Sequence, residues 1–109
     1  MTTFDERERA FENLFAHEEE LRFRALARRN QLFADWAAEQ LGLRGSACRA
    51  YVRFFIEEAV RPDAAGTLID RVRDDFRAES LEIPDAHIHA AFARAAAEAT
   101  RHVRTEVVR

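Results

Sequence analysis

The residues best suited to chemistry in this chain are its histidines and its acid pairs. His87 and His89 stand two apart in the stretch DAHIHA. On a helix that spacing puts them on different faces, so the two cannot grip one metal ion. Asp85 and His89 are four apart and share a face, as do Glu98 and His102. Each pair offers two ligands, short of the set that a structural or catalytic zinc needs. No Glu-x-x-His occurs, so the carboxylate di-iron pattern of helical bundles is missing. Glu57–Glu58 and Asp74–Asp75 are adjacent acids on helices. They diverge, and a solvated face is expected rather than an acid–base pair. His17 stands out only by its place beside Glu18, Glu19 and Glu20. Cys48 is alone and can form no internal disulfide, which fits a reducing compartment. A small buried residue on a helix is its expected role. Gly42 and Gly45 flank a short turn, not a phosphate-binding loop. No Ser/His/Asp or Cys/His arrangement can be read from the spacing. The residues point away from catalysis and metal binding, and towards a binding function.

The elements around these residues are helical. Three Gly and two Pro leave little material for turns, and nine Phe and one Trp supply a core. The first periodic stretch runs from about Phe4 to Leu41 and stops at Gly42, which can adopt the left-handed conformation that closes a helix. Ser46 is the expected N-cap of a second helix from about Ala47 to Val60. Its centre, YVRFFIEEAV, predicts the most buried helix of the four. Pro62 ends it by disfavouring helical geometry at Arg61, and Asp63 can cap the third. There Ala65, Leu68, Ile69, Val72 and Phe76 mark one face. Pro84 and Asp85 signal the start of the fourth, with Ile88, Ala91, Phe92, Ala95, Ala99 and Val103 along one side. The expected fold is all-α, a four-helix bundle with short connections and antiparallel neighbours. Trp36, Tyr51, Phe54, Phe55, Leu68, Val72, Phe76, Ile88 and Phe92 are its expected core.

The first stretch is the informative one. Phe4, Phe11, Leu14 and Phe15 recur at helical spacing ahead of Glu18, Glu19 and Glu20; Leu21, Ala25, Leu32, Trp36 and Leu41 do so after them. A helix of this length would be about 57 Å long. The remaining helices are too short to cover it. Residues 1–20 are therefore expected to form an arm that protrudes or is flexible, and residues 21–109 the bundle. Asp5–Arg9, Glu18–Arg22 and Glu20–Arg24 are spaced to pair along the helix, at about 0.2–0.5 kcal/mol each. That is too little to make an isolated arm rigid. An aromatic stripe on such an arm suits a helix-in-groove partner. Phe4, Phe11, Leu14 and Phe15 would enter the groove, with Asp5, Arg7 and Arg9 at its rim. Net charge is −3, and the first 30 residues hold seven acids against six Arg. That balance speaks against nucleic acid as the partner. All seventeen basic residues are Arg, whose planar fork suits carboxylates across an interface. No apolar run approaches the ~20 residues needed to span a bilayer, and the start is not a secretory signal.

The segments MTTFDERERAFE, FAHEEELRFRALARRN and WAAEQLGL resemble the zeta-subunit family of alphaproteobacterial F1Fo-ATP synthases, also filed as a domain of unknown function. The likeness is closest over residues 1–43 and at Ala50–Tyr51. It is weaker over residues 52–109, where DRVRDDF and DAHIHAAF follow the family only roughly. Between the second and third helices the family tends to be acidic and Gly-containing; this chain has VRPDAAG. The resemblance implies an inhibitor of the rotary ATPase rather than an enzyme. It implies that the arm inserts between a catalytic alpha/beta pair and the gamma rotor, while the bundle anchors it. It further implies weak adenine-nucleotide binding at an unassigned site and no other cofactor. The protein would be a monomer when free, and would act at the cytoplasmic face of the inner membrane, bound to the ATP synthase and not inserted in the bilayer.

Two other readings of the residues stay open. One is a helical adaptor that dimerises through the arm. The other is a small-ligand-binding bundle, with a pocket lined by some of Tyr51, Phe54, Phe55, Phe76 and Phe92.

Overall fold

Nothing in residues 3–41 breaks a helix, and in the computed structural model they form one, α1 (Thr3–Leu41). The structure describes residues 3–108; the side chains of Phe4, Phe11, Phe15 and Val108 lie outside that description. Helices α2 (Gly45–Glu57), α3 (Ala64–Ala78) and α4 (Asp85–Val108) follow, with a 3₁₀ turn at Glu58–Val60. Among the described residues there is no strand, so the chain is an all-α bundle. Its long axis measures 65 Å and its width 25 by 21 Å, the shape of a short bundle drawn out along α1.

α1 closes as its glycine requires. Gly42 has φ +74°. Its N–H donates to the Glu39 carbonyl at 3.1 Å, and the Leu43 N–H to the Ala38 carbonyl at 3.0 Å. This paired closure satisfies two carbonyls that the helix leaves without donors. α3 ends the same way, with Ser80 donating to Arg77 and Leu81 to Phe76. There, however, the left-handed position is taken by Ser80, at φ +57°. A side chain in that region costs about 1–2 kcal/mol. Ser80→Gly should therefore raise stability by about 1 kcal/mol, read as a higher urea midpoint at unchanged m-value. An unchanged midpoint would show that the strain is relieved elsewhere.

The helix starts differ from expectation. α2 begins at Gly45, one residue before Ser46; Arg44 holds the N-cap position, without a side-chain cap bond. Asp63 does precede α3, but its carboxylate makes no cap bond either; its backbone carbonyl accepts from the Thr67 N–H instead. Pro62 acts as expected, since Arg61 is extended at φ −84°, ψ 135°. Yet α-helical geometry has already stopped at Glu57 and tightened into the 3₁₀ turn.

α1 runs antiparallel to α4 and to α2 and supplies the centre of the core. Phe33 is fully buried and touches three rings. It stacks on Trp36 with centroids 6.1 Å apart, meets Phe92 edge-on at 5.0 Å and tilts against Phe55 at 6.2 Å. Ala34 and Ala37 are also fully buried on α1; Ile88, Ala91, Ala95, Ala99 and Val103 line α4 as their spacing foretold. Small side chains on both helices permit close approach. Leu68, Val72 and Phe76 complete the core from α3.

The expectation for α2 is corrected. Phe55 is its one fully buried described residue. Phe54, expected in the core, is 38 % exposed, with the Arg71 guanidinium 4.7 Å above its ring. Two adjacent residues on a helix point about 100° apart. α2 touches the bundle along a narrow line, so Phe55 enters and Phe54 stays out. Trp36, Tyr51 and Phe92 pack against the core from half-buried positions. Of the rings considered for a ligand pocket, Tyr51 lines a shallow cleft with Leu41, Leu43 and Asp75. Phe55 and Phe76 pack within the core, and Phe54 faces solvent beneath Arg71.

Candidate functional site: the first helix and the groove at its base

In the bundle, α4 covers one side of α1, and that cover ends where α4 ends. Antiparallel pairing sets Phe33 against Phe92, Arg29 over the Phe92 ring at 4.7 Å, and Arg24 against Glu106 at 2.7 Å. Beyond Arg24, towards the N-terminus, little of α4 remains. Leu21 is half-buried; every described side chain from Thr3 to Glu20 is exposed, Leu14 at 56 %. At 1.5 Å per residue, that uncovered length is about 27 Å.

The uncovered part stays in register with the covered part. Leu14, Leu21, Ala25, Leu32 and Trp36 follow one another at intervals of seven, four, seven and four, one continuous face of a helix. At the upper end of the bundle this face opens into a groove of about 520 Å³. Leu21, Arg22 and Ala25 line it from α1, and Thr100, Val103, Arg104 and Val107 from α4. Val107 is 47 % exposed at its mouth. The apolar side of α1 therefore runs from the core, through the groove, onto the exposed helix.

A polar cluster fixes the base of that helix. Arg28 donates to Glu106 at 3.1 Å and to His102 Nδ1 at 3.1 Å. A guanidinium has only donors. Nδ1 therefore accepts, and the ring proton sits on Nε2, which faces Glu98 at 3.5 Å. Arg24 closes the cluster on the other oxygen of Glu106. All these groups are part-exposed, so each pair contributes under about 1 kcal/mol. Their joint effect is to hold the end of α4 against α1. Below them, Asn30 is fully buried. It accepts from Arg29 Nε at 3.0 Å and donates to the Phe55 carbonyl at 2.9 Å. Burial lowers the pKa of the Arg29 guanidinium, yet an arginine starts so far above neutrality that it stays charged at neutral pH.

The expected site residues fall along this helix. The backbone of Phe4, Phe11 and Phe15 belongs to α1, while their side chains lie outside the described residues. Asp5, Arg7, Arg9 and Leu14 are exposed. Of the ion pairs expected beside them, two are replaced. Arg22 pairs with Glu19 at 2.6 Å rather than with Glu18, and Arg24 with Glu106 rather than with Glu20. Arg24 and Arg28 were not foreseen as a clamp. The residues they meet lie about 80 positions away, and nothing in local spacing announces such a pairing.

No group of three or more His, Cys, Asp or Glu among the described residues could hold a metal ion. His17, His87 and His89 are exposed on separate stretches of helix, and Cys48 is half-buried on α2 rather than fully buried. Asp85 is engaged by Arg73 at 2.9 Å, which holds its carboxyl below the usual range. No described helix is long and apolar enough to cross a membrane.

No curated protein and no solved structure matches this chain. The sequence pattern of the family described as ATPase inhibitor subunit zeta matches residues 1–102, from the exposed helix through the first three-quarters of α4. The chain thus belongs to the ATPase inhibitor subunit zeta family.

Proposed function

We propose that this protein inhibits ATP hydrolysis by the F1 sector of its ATP synthase, and that residues 1–20, which include the exposed part of α1 from Thr3, form the inhibitory arm. Supporting this reading is one observation above all. The apolar face of α1 continues in register past the end of α4, onto a helix whose described side chains are all exposed. A partner groove would take the place that α4 holds lower down. Phe4, Phe11, Leu14 and Phe15 would fill it, with Asp5, Arg7 and Arg9 meeting charged groups at the rim. The arm is already helical, so docking it orders less chain than folding it anew.

The shape supports an inhibitory step of this kind. A helix of about 27 Å projecting from a broader bundle can enter a cleft between a catalytic alpha/beta pair and the gamma rotor, and the bundle stops it at the mouth. Wedged there, it holds one catalytic interface closed and blocks rotation in the hydrolysis direction. The protein itself moves no proton and breaks no bond. Residues 21–109 act as the anchor, and the site of action is the cytoplasmic face of the inner membrane. Adding the full-length protein to the cognate F1 sector should lower its ATP hydrolysis in proportion to occupancy. Hydrolysis that stays unchanged at saturating protein would refute the reading.

A further inference from the structure

Among the described residues, nothing covers one face of α2. Arg49, Arg53 and Ile56 lie at i, i+4 and i+7 and so share it. All three are exposed, and Val60 carries the face onto the 3₁₀ turn at 70 % exposure. Phe23, 47 % exposed, meets it from α1. Phe23 and Ile56 line one cleft; Phe23, Val60, Leu26 and Ala59 line another. Three large apolar side chains exposed in joined clefts are a patch rather than scattered surface residues.

The charges beside the patch are unequal. Arg49 and Arg53 form no ion pair among the described residues, and Glu57 is the one acid of α2; the acids that line the clefts, Glu19 and Glu106, are already paired with Arg22 and with Arg24 and Arg28. Nearby arginines are already engaged, Arg61 with Glu58 and Arg71 with Asp75. A row of unpaired guanidinium forks beside an apolar patch complements an acidic protein surface that carries an apolar side chain. The patch also lies where the exposed part of α1 leaves the bundle. Phe23 faces α2 there, while Leu21 and Ala25 face α4.

We propose that the Arg49–Arg53–Ile56–Val60 face, with Phe23, is a second docking surface, and that it takes an acidic, apolar-bearing segment of the ATPase. The proposal rests on the inhibitor reading. A partner that grips the arm on the α4 side of α1 meets the bundle at this level, and the α2 face then fixes the bundle's rotation about the arm. The arginines steer the encounter, and Phe23, Ile56 and Val60 hold it.

The test uses the full chain and the cognate F1 sector. Arg49→Glu with Arg53→Glu, and separately Ile56→Asp, change exposed side chains, so circular dichroism and the unfolding midpoint should match wild type. Each variant should bind F1 roughly tenfold more weakly. Added salt should weaken the wild type more than the double-arginine variant. If charge reversal disturbs α2, Arg49→Ala with Arg53→Ala gives the same readout with a smaller loss. Wild type that binds, with variants that bind equally well, overturns this inference and leaves the inhibitor reading standing. Wild type that neither binds nor inhibits overturns both. Variants that keep their F1 affinity but lose binding to vesicles containing phosphatidylglycerol would make a membrane the occupant and overturn the inference.

Discussion

A chain that begins at Leu21 should keep its helical bundle and lose its inhibition of ATP hydrolysis. The described side chains removed are all exposed, and the core begins at Asn30 and Phe33. The cut also leaves Arg24, Arg28, His102 and Glu106 in place, so the end of α4 stays tied to α1. Finer substitutions should grade the effect. Burying one Phe side chain is worth about 1.5–3 kcal/mol. Phe11→Ala with Phe15→Ala should therefore weaken inhibition by roughly a hundredfold or more if both rings enter the groove. Charge reversal at Arg7 and Arg9 should do less, and mainly through the association rate. The measurement is inhibition of the cognate F1 sector by each protein, beside its thermal unfolding curve. Equal inhibition by the full-length and shortened chains would move the activity off the arm.

Phe33→Ala should cost about 3–5 kcal/mol, the range for removing a buried aromatic ring. Phe33 is 0 % exposed and meets Trp36, Phe55 and Phe92. Its loss opens a space that α1, pinned at both ends of the contact, cannot close. A chain of this size has roughly 5–15 kcal/mol in total, so the variant should be partly unfolded at moderate temperature. Phe54→Ala, next to buried Phe55, should cost under about 1 kcal/mol, the size of a surface change. Its ring is 38 % exposed and loses the contact with Arg71 and an edge-on contact with Phe55. Urea unfolding of the two variants decides the matter. A larger loss at Phe54 than at Phe33 would mean that α2 is rotated from the orientation described.

The exposed helix of the candidate site was legible because it depends on local facts. Residues 3–41 hold no breaker, Gly42 supplies the stop, and the recurrence of Phe4, Phe11, Leu14, Leu21 and Ala25 at intervals of seven, three, seven and four needs no knowledge of the fold. Length alone then required α1 to outrun its neighbours. The apolar face of α4 was legible for the same reason, since Ile88, Ala91, Ala95, Ala99 and Val103 repeat at helical spacing. These features are set by backbone geometry within one element, which the order of residues determined by itself. Which ring of a Phe54–Phe55 pair enters the core is another kind of fact. Both have the same side chain, and only the line of contact between α2 and α1 separates them. The same holds for Asn30, which reads as a surface residue until the α2 carbonyl of Phe55 is placed 2.9 Å away. Arg24 reads as a partner for Glu20 until antiparallel packing brings Glu106 to it, and the same packing sets Arg28 against Glu106 and His102. Tertiary structure decided these because burial and long-range pairing depend on the separation between helices, and that separation is set by the fit of many side chains at once rather than by the spacing along any one of them.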